Sequence, residues 1–312
     1  MANKFVIIYD SSLDLTAETR KKYDIEDPFL GTIVFPDKSE ALCDLNWEKT
    51  TPAIFYKKMS NKNNVFKTSL PNPTTIQNRL LEYVHNGYDV LAISLSSHMS
   101  GTYSSLCVAA KEVIEKNPNS KILILDSKRY SAGGGLLAVF ASKLRSEGKT
   151  IEETYSILEN YRDSLHQMGI LDDLFFLYRS GRIKKVAAVM GSFIGIKPMA
   201  DFSNETGGPC VLGKARGYKN AWKIEEKYIQ AVRSGIEPEV FAVCDSDRKP
   251  QADEIIKIIK KLYPNAEIIY TPVGQSCGVN VGPGLAVAFF LGKKVSKDCQ
   301  AEKEIFANIL KK

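Results

Sequence analysis

The segment Ile93–Ser105 reads Ile-Ser-Leu-Ser-Ser-His-Met-Ser-Gly-Thr-Tyr-Ser-Ser; it is rich in hydroxyl groups and contains no Asp, Glu, Lys or Arg. It follows the apolar run Val90–Ile93 and precedes a helical pattern that starts near Gly101. A strand that ends in hydroxyls and turns into a helix is suited to bind an anion. The hydroxyls donate hydrogen bonds, and the first backbone N–H groups of the helix have no partner within it. Nothing in the segment pairs a nucleophile with a base. The chemistry it suggests is to hold an acidic head group, not to cleave one.

Other chemically suggestive groups are weaker. Gly274-Gln-Ser-Cys-Gly278 matches the G-x-S-x-G nucleophile elbow, which opens a helix and takes its His downstream of the Ser. Here His85, His98 and His166 all precede Ser276, and the glycine-rich residues up to Gly284 read as non-helical. There is no phosphate-binding G-x-x-x-x-G-K-[ST] and no dinucleotide G-x-G-x-x-G after the first strand. Asp10, Asp126 and Asp245 could share a metal only if three strand ends met, and capping of the next helix is the simpler role. Arg179-Ser-Gly-Arg182-Ile-Lys-Lys185 places four cations in seven residues, suited to a phosphate or an acidic partner or simply to solvent. Six scattered cysteines without a Cys-x-x-Cys pair argue against a zinc site and a disulfide scaffold.

The elements that must position these groups alternate. Residues 5–10 read as a buried strand, with Ser11 or Ser12 capping a helix through Tyr23. Thr32–Phe35 reads as a second strand. Helices follow from Pro52 and from Pro73 to Gly87, then a strand at 89–95, a helix from Gly101 to about Lys116 and a strand at Lys121–Leu125. This pattern predicts a parallel sheet covered on both faces. Three strands end in Asp10-Ser11-Ser12, Ser96-Ser97 and Asp126-Ser127, so their ends could converge on one crevice. Gly133-Gly134-Gly135 opens a further helix, which implies close approach by backbone or ligand. Thr150 and Glu153 form a capping box for the next one. Beyond about residue 165 the pattern becomes mixed. A small-residue helix at Val186–Ser192 leads to a hairpin of Ile194–Phe202 and Val211–Arg216. Helices at Ala221–Val232 and Ala252–Leu262 then alternate with strands at Val240–Cys244, Glu267–Tyr270 and Ala286–Leu291, before a terminal helix.

The totals are those of an ordinary globular protein: 312 residues, 44% hydrophobic, 25% charged, with 42 Lys+Arg against 36 Asp+Glu. The basic residues are scattered, which argues against nucleic-acid binding. No stretch of about 20 apolar residues suggests a membrane span, and no apolar leader precedes the first strand, so a cytoplasmic location is expected.

Taken together, Tyr9–Leu15, Lys67-Thr-Ser-Leu-Pro71, Leu95–Tyr103, Leu125-Asp-Ser-Lys128, Arg179–Ile183 continuing to Ile196-Lys-Pro198, and Gly282-Pro-Gly284 resemble the DegV family of bacterial fatty-acid-binding proteins. The resemblance implies an α/β protein: an N-terminal parallel-sheet domain over 1–165 and a C-terminal mixed α+β domain over 166–312, with segment 62–75 packing against the second. One long-chain fatty acid lies between them as ligand, with no other cofactor, metal or catalytic residue. The acyl carboxylate is held by Thr68 and Ser100, with Ser69, Gly101 and Asn280 beside them and Ser96 and Ser97 in support. Asn280 stands where the family usually has His; it can donate a hydrogen bond but cannot take on charge. Many members carry the acid for a separate ATP-binding fatty acid kinase subunit, which Arg182, with Arg179, would contact directly or through phosphate. Membrane contact is at most transient. Burying about 14 methylenes at ~0.8 kcal/mol each supplies roughly 11 kcal/mol before ordering costs, so neutral donors need only fix the head group. The competing expectations are a small-molecule hydrolase or phosphotransferase built on the Ser and Asp strand ends, and a lipid-sensing module with no kinase.

Overall fold

Short β-branched runs without polar interruption form β1 (Phe5–Tyr9), β5 (Asp89–Ser94) and β6 (Ile122–Asp126), a parallel sheet in the order β1-β5-β6. The computed structural model describes residues 4–184, 195–233 and 235–311. The helix expected at Val186–Ser192, Lys185 of the basic run and Ile194 at the start of the expected hairpin lie outside the described residues. Alternation sends Val6, Ile8, Val90 and Ala92 to one face of the sheet. There they meet Ile76 and Leu80 of α3 (Pro73–His85) and Leu106 and Val113 of α4 (Thr102–Lys116). Ile7, Tyr9, Leu91 and Ile93 face the other way, toward α5 (Ala132–Ser146) and α6 (Ile151–Ser164). The capping box is present: Glu153 N–H donates to Thr150 Oγ1 at 3.2 Å and Thr150 N–H to Glu153 Oε2 at 2.8 Å.

Two expectations fail here. Ser11 and Ser12 do not cap a helix. The first helix, α1 (Ala17–Lys22), starts later, with Thr16 Oγ1 accepting from Thr19 N–H at 3.1 Å. The strand β2 (Thr32–Val34) is not in the parallel sheet but pairs antiparallel with β3 (Glu40–Leu42) and β4 (Lys67–Ser69). The turn after it is too short for the crossover that a parallel neighbour requires. Between β3 and β4 runs α2 (Pro52–Ser60), whose Tyr56 hydroxyl donates to Val273 O at 2.7 Å.

The second large sheet has six strands in the order β11-β10-β12-β7-β8-β9. These are β7 (Leu165–Leu171), β8 (Ile196–Phe202), β9 (Pro209–Arg216), β10 (Val240–Asp245), β11 (Glu267–Pro272) and β12 (Leu285–Leu291). Only β10 and β11 pair in parallel; β8 and β9 form the expected hairpin. β7, interrupted by His166, Gln167 and Gly169, lacks the apolar run that would predict a strand. Between β7 and β8 lies the short α7 (Phe175–Arg179). One face of the sheet is covered by α8 (Gly217–Arg233), α9 (Lys249–Leu262) and α11 (Gln300–Lys311). Toward the other face lies α5, packed on β1 and β5 as well as on β10 and β12. Its three glycines answer to that squeeze. A Cβ on Gly133 would come within 2.7 Å of the Phe289 ring, and one on Gly134 within 2.4 Å of Leu13. At those two the close approach is by core side chains, whereas at Gly135 it is by backbone, with a Cβ falling 2.7 Å from Asp14 O.

The glycine-rich stretch departs from expectation too, since Gln275–Val281 forms a helix, α10. Low helix propensity is overridden by burial of Cys277, Val279 and Val281, and Gly282, at φ +73°, ends the helix. Among the described residues no helix is long and apolar enough to cross a membrane.

Candidate functional site

A cavity of about 410 Å³ opens where the end of β4, the turn between β5 and α4, α10 and the uncovered face of β7–β8 meet. Thr68, Ser69, Ser100, Gly101 and Asn280 all line it, and so does Arg182. A chain of contacts joins them. The Asn280 side-chain amide donates to Thr68 Oγ1 at 3.4 Å and to Ser276 O at 3.1 Å. The Asn280 carbonyl accepts from Ser180 Oγ at 3.3 Å. The Arg182 guanidinium donates to Ser180 O and, at 3.3 Å, to Met99 O, the residue before Ser100. Ser100 and Thr102 hydroxyls lie 2.9 Å apart.

Local sequence explains why these groups face a ligand. α2, α3 and α6 close their N-termini with side chains, Thr51, Asn72 and Thr150 respectively, whereas α4, like the buried α5, has no side-chain cap. Gly101 at the start of α4 has no side chain to do so, and Ser100 Oγ reaches only Thr102 N–H, at 3.3 Å. The remaining first-turn N–H groups have no intrahelical acceptor. Among the described residues the cavity lining has no carboxylate, and Arg182 is its one cation. Hydroxyl, amide and backbone donors beside a guanidinium suit a carboxylate or phosphate oxygen.

The remaining wall is apolar: Leu171, Leu177, Ala200, Phe202, Val281 and Leu285. Leu171 escapes the sequence pattern because Leu165–Leu171, with its His, Gln and Gly, shows no continuous apolar run, while Ala200 and Phe202 lie on an expected strand whose cavity-facing side the pattern does not identify. Ser12 and Ser276 also reach the cavity, with their hydroxyls 2.8 Å apart. The three Ser-bearing strand ends could have pointed to Ser12. Ser276 was set aside along with the hydrolase motif. The helix after it removes one of the two arguments against that motif. The His order stands, and the partner of the Ser276 hydroxyl is another neutral hydroxyl, where a nucleophile needs a base.

Several candidates lie elsewhere. Ser96 is fully buried and donates to Gly207 O at 2.6 Å. Ser97 is exposed and donates to Asp126 Oδ2 at 2.6 Å. Neither lines the cavity, nor does His98, which packs against Gly208. Arg179 also stays outside it, over the Phe176 ring at 4.7 Å and donating to Lys62 O at 3.0 Å. Of the residues that mark the three strand ends only Ser12 lines the cavity; the loops beyond β5 and β6 add Met99, Ser100 and Tyr130. The carboxylates at these ends tie loops together instead. Asp10 accepts from Ser12 N–H at 2.9 Å and Leu95 N–H at 2.7 Å, and burial raises its pKa. Asp14 accepts from the Ser131 hydroxyl and from Gly274 N–H, while burial raises it to about 7. Gly274 permits this approach, since a Cβ there would lie 2.4 Å from Asp14 Oδ1.

The fold is that of a known family. Residues 4–293 match the family described as "Uncharacterised protein, DegV family", and the chain is a member of it. A DegV domain-containing protein of Clostridium perfringens is 33% identical over 289 residues, 93% of this chain and 98% of that one. Among solved structures, DegV, a fatty acid binding protein from Bacillus subtilis, superposes with a TM-score of 0.78 at 25% identity, covering 94% of this chain and 100% of that one. A DegV family protein from Eubacterium eligens loaded with heptadecanoic acid gives a TM-score of 0.80 at 21% identity, covering 93% of this chain and 100% of that one.

Proposed function

We propose that this chain binds one long-chain fatty acid in the cavity, with the carboxylate at Thr68, Ser69, Ser100, Gly101 and Asn280 and the acyl chain on the apolar wall. The observation that carries this reading is the division of one cavity into a neutral donor cluster beside Arg182 and an apolar face of β7, β8 and β12. The fatty acids bound by the Bacillus subtilis and Eubacterium eligens relatives support it. The chain then divides into a unit over 1–165 and a unit over 166–312, with the ligand between them. It acts in the cytoplasm as a carrier and has no catalytic residue of its own. A separate ATP-binding kinase subunit phosphorylates the carboxylate, with Arg182 near the phosphoryl group and Arg179 at the partner's surface.

Native mass spectrometry of the chain purified from cells tests the first step. A single added mass matching a fatty acid is expected; folded protein without lipid contradicts the reading. Adding the ATP-binding subunit and ATP tests the second, with acyl phosphate as the product.

A further inference from the structure

We propose that Gln167 is a second polar subsite inside the cavity, selecting acyl chains that carry an oxygen part-way along, as a hydroxyl or keto group. The inference rests on reading the cavity as an acyl site. Gln167 lies on β7, between β12 and β8 in the six-stranded sheet, and shares the cavity face with Gly169 and Leu171. It is 2% exposed, and among the described residues neither Oε1 nor Nε2 of its amide has a hydrogen-bond partner. Its backbone is satisfied, with the N–H donating to Asp201 Oδ1 at 2.9 Å. Its register partner is Phe289, on which Tyr130 packs edge-on at 5.7 Å; Tyr130 in turn stacks on Phe202 at 5.1 Å.

The amide is thus a lone polar group in an aromatic and aliphatic wall. A buried primary amide can donate twice and accept through two lone pairs, and leaving these unmade is costly. A saturated chain laid over Gln167 would exclude water and return nothing. A chain hydroxyl both donates and accepts, and a chain carbonyl accepts from Nε2. Sites built to hydrogen-bond a substrate oxygen discriminate strongly against the analogue that lacks it, because the site's own polar group is then stranded. Met or Leu would serve a saturated chain better at this position.

The test is a competition titration of the intact, lipid-stripped chain with stearic acid and a series of monohydroxystearic acids, the hydroxyl moved stepwise along the chain. One isomer, or two adjacent ones, should bind roughly tenfold tighter than the others, the size of one buried hydrogen bond. Gln167→Met should abolish that preference while leaving stearate binding equal or tighter. Isomers that all bind alike to the unaltered chain overturn the proposal, as does a preference that survives Gln167→Met. If neither stearate nor any hydroxystearate binds, the fatty-acid reading falls as well, a result distinct from stearate binding without discrimination.

Discussion

The two faces of β7 answer opposite demands. His166, Met168 and Ile170 point into the core under α8 and α9, whereas Gln167, Gly169 and Leu171 point into the cavity. On the covered face the His166 ring is satisfied at both nitrogens. Nδ1 lies 2.8 Å from Asp201 Oδ2, and Nε2 lies 2.9 Å from Lys293 O. The Tyr228 hydroxyl donates to the same Asp201 oxygen at 3.0 Å. Burial alone would raise the Asp201 carboxyl, but its contact with His166 and the Arg129 charge hold it below its usual value. On the cavity face the one polar side chain of the strand, Gln167, is left without a partner among the described residues. Within β7, the polar side chain on the covered face has its hydrogen bonds made and the one on the cavity face does not, which fits a strand that receives a ligand on its open side.

The largest effect expected from breaking this contrast is on the covered face. Asp201→Ala strands His166 and the Gln167 and Phe202 N–H groups, and should cost about 3–5 kcal/mol in thermal unfolding. On the cavity face, Ala200→Phe should leave the fold intact. It takes the space of three or four methylenes, roughly 3 kcal/mol of acyl burial, so the lipid extracted per mole of protein should fall sharply.

Glu225 on α8 marks where the contrast stops, as a covered-face group whose carboxylate oxygens have no partner among the described residues. Burial holds its carboxyl well above the usual range, so the folded state keeps a proton that the unfolded chain releases above about pH 4.3. Stability therefore falls as pH rises through that value. Glu225→Gln should match the parent near pH 4 and exceed it by roughly 1–3 kcal/mol at pH 7–8, measured by denaturant melts at both pH values. The smallest effect is at the head group. Ser100→Ala removes one neutral donor and should weaken fatty-acid affinity about tenfold, measured by titration, with unfolding unchanged.

Ser100 and Gly101 were legible because they sit at a strand-to-helix turn, where hydroxyl and glycine spacing has few meanings, whereas Thr68 lies in β4 and Asn280 in α10. Thr68, Ser100 and Asn280 come from three separate segments, and the motif resemblance was needed to join them. The apolar wall was not legible. Leu165–Leu171 contains His, Gln and Gly, so it lacks the continuous apolar run of a buried strand, and what makes it one is pairing with β12 and β8. The order β11-β10-β12-β7-β8-β9 is set by long-range contacts that local periodicity does not encode. β2 looked like a parallel strand for the same reason, and only the short return to β3 places it elsewhere. The helix at Gln275–Val281 shows the converse, with tertiary burial overruling the propensity of its glycines.

The most direct test of the account is a crystal structure of this chain grown with a saturated C18 acid. Density for the carboxylate between Thr68, Ser100 and Asn280, with the chain running over Leu171, Ala200 and Phe202, is the result predicted. An acid bound elsewhere, or with its carboxylate away from that cluster, would contradict it.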